Sequence, residues 1–233
     1  MKLGIMQPYF FPYIGYFQLI NSVDKFVIYD NIEYTKKGWI NRNNILSPNG
    51  GKLITLPLKK DSDFLNVNQR FLSDSWVTER KKLLNVLKSN YSKSEYFEEV
   101  FCLLESCILF ENLNLFDFIL FSLKKILSYL EVKTEIIKSS DVDIDHKLKS
   151  EKKVIEICKT LKAETYINSI GGMDLYDKNE FKMNGIHLNF IKSNDIIYKQ
   201  YNNEFIPWLS VIDILMFNSK DKINEHLNNY KLL

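Results

Sequence analysis

The chain has 233 residues, with 31 Lys and Arg against 29 Asp and Glu for a formal net charge of +2. That length supports one sizeable core, and the near-neutral balance excludes the basic excess with which a protein holds duplex nucleic acid by charge alone. The cysteines Cys102, Cys107 and Cys158 lie in helix-like apolar stretches without a second Cys or His at zinc-like spacing, so a reducing, cytoplasmic compartment and no metal site are expected.

Lys2–Met6 is an apolar run closed by Gln7-Pro8, and Lys25–Tyr29 is a β-branched and aromatic run closed by Asp30; both read as strands. Between them Tyr13–Ser22 follows Pro12 and carries Ile14, Phe17, Leu19 and Ile20 at near-helical spacing, which predicts a helix and a strand-helix-strand unit of a parallel sheet. Residues 31–51 are polar and rich in turn formers, and predict a loop longer than the ~12–15 residues usual for structureless connections, the mark of a lid or binding loop. Lys52–Leu58 predicts a third strand, with Pro57 near its end.

Residues 75–130 predict a helical insertion of three helices, Ser75–Asn90, Glu95–Leu109 and Asn112–Leu130. The last contains Asn114, Asp117, Lys124 and Lys125, which makes it amphipathic or buried, and no apolar run reaches the ~20 residues of a membrane span. A soluble protein is expected. Beyond the insertion Thr134–Lys138, Glu164–Asn168 and His187–Ile191 read as strands, with His146–Leu161, Leu175–Met183, Trp208–Phe217 and Lys222–Tyr230 as helices. The alternation predicts one α/β domain over residues 1–233, a mostly parallel Rossmann-like sheet flanked by helices.

Ligands of such sheets bind beyond the carboxyl ends of the strands. The unusual segments fall there: Gln7–Tyr16 after the first strand, Asp30–Asn43 after the second, Ser139-Ser140 after the fourth and Ser169-Ile-Gly-Gly172 after the fifth. The first holds Tyr9, Phe10, Phe11, Tyr13 and Tyr16 among Pro8, Pro12 and Gly15, a turn fit to stack a ring or to be a packed aromatic corner. Gln7, a polar amide closing a buried strand, needs partners that a ligand can supply. In the second, Arg42 is able to clamp a phosphate or carboxylate, Lys36 to add a point charge, and Asp30 to accept a proton or bind an ammonium, against the plainer alternative of an Asp30–Arg42 ion pair pinning a solvated loop. His146, His187 and His226 stand apart from any metal-like spacing, and neither a Gly-x-Ser-x-Gly elbow nor a P-loop is present.

The stretches Met6-Gln-Pro-Tyr-Phe-Phe-Pro-Tyr-Ile-Gly-Tyr-Phe17, Asp24-Lys-Phe-Val-Ile-Tyr-Asp30, Tyr34-Thr-Lys-Lys-Gly-Trp-Ile-Asn-Arg-Asn43 and Leu209-Ser-Val-Ile-Asp-Ile-Leu215 resemble the WbqC-like family, proteins of O-antigen and related polysaccharide gene clusters. The resemblance implies transfer of an amino-acyl group, glycine being the suggested case, onto an amino sugar. The expected reaction is N-acyl or N-aminoacyl transfer to a nucleotide-linked amino sugar. Its co-substrate is an activated acyl donor (an acyl carrier protein thioester, a coenzyme A ester or an aminoacyl-tRNA), and no cofactor is required. Asp30 is then the base or amine orienter, Asn41 and Asn43 oriented donors, Lys36 and Arg42 pyrophosphate contacts, and Trp39 and Tyr9 stacking faces, with Gln7, Pro8, Tyr16, Tyr34, Ser139 and Ser169 completing the substrate surface. A second likeness gives the alternative: Pro12-Tyr-Ile-Gly-Tyr16 sits where Rossmann-like adenylating nucleotidyltransferases carry His-Ile-Gly-His, with both histidines replaced.

Overall fold

The computed structural model describes residues 1–62, 64–201 and 204–233. Alternation along Lys2-Leu-Gly-Ile-Met6 turns Leu3 and Ile5 to one face and Gly4 to the other, forming strand β1 (Lys2–Met6). A Cβ on Gly4 would lie 3.0 Å from the Phe26 ring and 3.5 Å from Leu19, so the missing side chain lets helix α1 (Ile14–Asn21) settle close to the sheet. Strand β2 (Lys25–Ile28) follows and pairs parallel with β1.

Residues 31–51 are not the long loop expected. Arg42–Ser47 forms strand β3 and Gly50–Thr55 strand β4, paired antiparallel around a turn in which Gly50 takes a φ of 104°. β4, expected as a third strand of the main sheet, therefore belongs to a separate two-stranded sheet. The hairpin escapes the apolar pattern because its inward positions include Asn43, whose buried amide is satisfied by hydrogen bonds. The three expected helices are present as α2 (Trp76–Tyr91), α3 (Phe97–Ile108) and α4 (Leu115–Tyr129). They share one apolar cluster with α1 and the hairpin.

The alternation then resumes through β5 (Glu135–Lys138), α5 (Ser150–Thr160), β6 (Thr165–Ser169), α6 (Lys178–Met183) and β7 (His187–Ser193), and ends with α7 (Val211–Phe217), α8 (Lys220–Leu227) and β8 (Tyr230–Leu232). Several boundaries differ from expectation: α5 starts four residues after the expected His146, α6 and α7 each start three residues after the expected Leu175 and Trp208, and the last helix stops at Leu227, where the chain turns back to pair antiparallel with β7. The six-stranded sheet has the order β5-β2-β1-β6-β7-β8, parallel apart from β8. Because the chain winds outward from β1 in both directions, its switch point lies between β1 and β6. A second apolar cluster joins the opposite sheet face, through Leu3, Ile5 and Val27, to Val154, Ile157 and Cys158 of α5.

Candidate functional site

The two segments singled out in the sequence meet. Asn43 Nδ2 donates to the carbonyls of Phe10 (3.1 Å) and Phe11 (2.7 Å), and the Phe10 amide donates to the Trp39 carbonyl at 3.3 Å. The Phe11 carbonyl also accepts from Ser210 Oγ at 2.7 Å. Phe11 is buried with a φ of 42°, a left-handed conformation that a bulky residue adopts only where its surroundings fix it. Tyr16 donates from its hydroxyl to the Gln7 carbonyl at 2.9 Å and packs on Tyr9 and Phe26. Tyr16 and Pro8 are buried, so they support the rim from beneath, while Tyr9 and Gln7 stay half-open. The Gln7 side chain has no hydrogen-bond partner among the described residues.

Several residues expected at the ligand hold the loop's own backbone. Asn41 accepts from the Tyr34 hydroxyl at 2.9 Å and donates to the Leu56 carbonyl at 2.9 Å. Arg42 donates to the carbonyls of Gly38 (2.9 Å) and Lys36 (2.6 Å), so the Asp30–Arg42 ion pair is not formed. The Arg70 guanidinium stands 5.0 Å above the buried Tyr34 ring. The side chains of Lys36 and Trp39 are exposed. Ser169 lies at the switch point, its amide bonded to Asn168 Oδ1 at 2.8 Å, and Asn168 packs so tightly on Gly172 that a Cβ there would collide with it.

The polar centre lies beyond β2 and β5. Asp30 Oδ1 accepts from Ser139 Oγ and the Ser140 amide, both at 2.9 Å, and Oδ2 accepts from Asn68 Nδ2 at 3.0 Å. Burial alone would raise its pKa, but the hydrogen bonds from Ser140, Ser139 and Asn68 outweigh it and hold the carboxyl below its ordinary range. Asn31 extends the array: its Oδ1 accepts from Ser139 Oγ at 2.6 Å and Lys153 Nζ at 3.3 Å, which orients the amide so that Nδ2 donates to His146 Nδ1 at 2.9 Å. The single Ser139 proton serves either Asp30 or Asn31.

Lys153 is the residue the sequence reading missed. It is 6% exposed, on the buried stripe of α5 one turn before Ile157, with its ammonium 5.4 Å from the centre of the Tyr29 ring. Burial lowers its pKa and the Asp30 carboxylate partly restores it. A lysine in an apolar-stripe position was the available signal. Cys107 and Cys158 offer no nucleophile here: burial pushes both up to about 12. Among the described residues no group of three or more His, Cys, Asp and Glu is placed to hold a metal, and no helix is long and apolar enough to cross a membrane.

Fold and site together define a doubly wound α/β protein with a polar centre at the carboxyl rim of its parallel strands. The chain belongs to the WbqC-like protein family, which matches residues 7–225. It is 31% identical over 221 residues, 92% of each chain, to an uncharacterized protein of Mycobacterium tuberculosis. No solved structure matches it.

Proposed function

We propose that this protein is an N-acyl- or N-aminoacyltransferase acting on a nucleotide-linked amino sugar of surface polysaccharide synthesis, with the sugar amine held beyond β2 and β5. The observation that carries the reading is Lys153, a buried amine beside an ionised carboxylate at the rim of a parallel sheet. Acylation of a free amine needs an acceptor for the proton that the nitrogen loses as it attacks, and Lys153, whose pKa burial lowers, is the amine placed beside Asp30 to take it. Asp30, kept ionised by its donors, attracts and orients the incoming amine but is a poor base. The new N–C bond forms as the donor's ester or thioester bond breaks, and the proton passes through Lys153 to the leaving oxygen or sulfur. The raised thiols of Cys107 and Cys158 favour this direct attack over a covalent acyl-enzyme.

The alternative, an adenylating enzyme holding a triphosphate on the first amides of α1, fits less well. A Cβ at Gly15 would collide with the Tyr13 ring, which lies over the start of the helix.

The test incubates the purified protein with UDP-, GDP- or dTDP-linked amino sugars and each donor class, and reads acylated product by mass spectrometry. Lys153→Met is expected to cut transfer by about 10²- to 10⁴-fold. Wild-type rates in that variant would overturn the assignment of Lys153, and ATP–pyrophosphate exchange without transfer would favour the adenylating alternative.

A further inference from the structure

A cavity of about 350 Å³ opens at the other end of the same rim, where none of the residues expected at the ligand lies. Its walls are Tyr13 and Ile14 at the start of α1, Asn194 to Tyr198 after β7, and Phe205 and Pro207 to Leu209 before α7. The chain thus brings to one hollow the segments that follow the first and fifth parallel strands, on the far side of the switch point from Asp30.

Three features show what the hollow is built to take. Trp208 stands at the mouth, 70% exposed, its ring centre 5.6 Å from that of Tyr13 at an interplanar angle of 63°. It is held at a φ of 61°, a conformation costly for a bulky residue and one that presents a large indole to water. Second, the remaining walls are mostly aliphatic or aromatic, with Ile14, Ile196, Ile197 and Leu209 among them. Third, the Asp195 carboxylate makes no hydrogen bond or ion pair among the described residues, while its neighbour Asn194 is already bonded to Asn229 at 2.8 Å. A mostly apolar hollow with one exposed, unpartnered carboxylate on its wall disfavours a phosphate or a second carboxylate. It suits a planar ring that carries N–H donors on its edge.

We infer that this cavity is a nucleobase subsite: Trp208 stacks on the base, Asp195 accepts from its exocyclic amine or ring N–H, and the rest of a nucleoside diphosphate extends along the rim toward Asp30. The inference rests on the proposed substrate class and adds which part of it lies where. Strands β2, β1, β6 and β7 separate the two ends by three interstrand spacings, about 14 Å. A nucleoside, a pyrophosphate and a pyranose laid end to end bridge that span, crossing Gln7 and Ser169 on the way. A single monosaccharide does not.

Titration calorimetry with free UMP, GMP, AMP and dTMP, and separately with glucosamine, tests this without requiring turnover. At least one nucleotide is expected to bind, and Trp208→Ala to weaken it at least tenfold, the scale of a lost base–aromatic stack. Because Trp208 is exposed, that variant leaves the apolar clusters intact, and Asp195→Asn gives an independent reading by changing the preference among bases. No nucleotide binding, binding unchanged in both variants, or glucosamine binding that is lost in Trp208→Ala would overturn the subsite. Nucleotide binding without acyl transfer would refute the proposed reaction and leave the subsite standing; transfer without Trp208-dependent binding would do the reverse.

Discussion

Asp30 and Asp213 are both buried carboxylates, and each accepts hydrogen bonds from three groups, yet their pKa values move in opposite directions. Asp213 takes the hydroxyls of Tyr91 (2.9 Å) and Tyr198 (2.6 Å) and the amide of Gln200 (2.6 Å), and burial still raises it. Asp30 takes Ser139, the Ser140 main-chain amide and Asn68, and is lowered. The difference lies in the surroundings. Asp213 is fully enclosed within the core, where desolvation of the anion exceeds what three neutral donors return. Asp30 sits at a polar edge, beside an exposed Ser140 whose side chain and main-chain amide both lower the carboxyl. Three donors inside the core thus make a structural knot, while the donors at the rim, with Ser140 acting through both side chain and main chain, keep a standing negative charge.

The knot has a definite job. Tyr91 Oη also accepts the Leu46 amide at 2.8 Å, so one carboxylate ties α2, the β3–β4 hairpin, the segment before residue 201 and α7 to one another. Removing it orphans several enclosed donors, each costing ~1–3 kcal/mol, and Asp213→Ala is expected to lose about 3–5 kcal/mol in urea unfolding. Asp30→Ala should lose less, about 1–3 kcal/mol, because Ser140 is exposed and half-buried Asn68 is able to turn to water. A larger loss for Asp30 would break the comparison. Tyr91→Phe, which unpairs one carboxylate oxygen and the Leu46 amide while keeping the ring, is expected to cost about 1–2 kcal/mol by the same measurement.

How far each region is readable in the sequence follows the same division. Asp30 stands out because it closes a β-branched run at a strand's carboxyl end, and its meeting with Ser139-Ser140 follows from parallel topology. Lys153 is hidden, since a charged residue on an amphipathic helix is read as solvent-facing until Tyr29 and Asn31 are seen around it. Tyr16 errs the other way. It lies in an unusual motif, but its position on α1 turns the ring into the core, against Phe17 and Phe26. The second strand of the hairpin is legible but the first is not, because Asn41 and Asn43 occupy buried positions that pattern reading assigns to apolar side chains, and their satisfaction by Leu56, Phe10 and Phe11 is tertiary. Trp208 and Asp195 carry no local signal; only the return of β7 and α7 to the start of α1 makes them neighbours.

The smallest expected effect separates the two carboxylates most sharply, because their contributions to stability change with pH in opposite senses. For Asp30 the folded pKa lies below the ordinary 3.8, so the unfolded chain binds more protons in the acid window between them. The stability it supplies is complete above 3.8 and fades as pH falls through the folded value. For Asp213 the folded pKa lies above 3.8, so the native state holds the proton longer and stability declines as pH rises from 3.8 through the folded value. Each unit of separation is about 1.4 kcal/mol. Unfolding free energies of wild type, Asp30→Asn and Asp213→Asn between pH 3 and 7 (roughly the window set by ordinary carboxyl values) should therefore diverge in opposite ways. The deficit of Asp30→Asn is expected to be largest near neutrality and to close toward acid, whereas that of Asp213→Asn is expected to be largest in acid and to shrink toward neutrality. Parallel curves for the two variants would mean that the carboxylates share one environment, and that the rim around Asp30 is as closed to a ligand as the knot around Asp213.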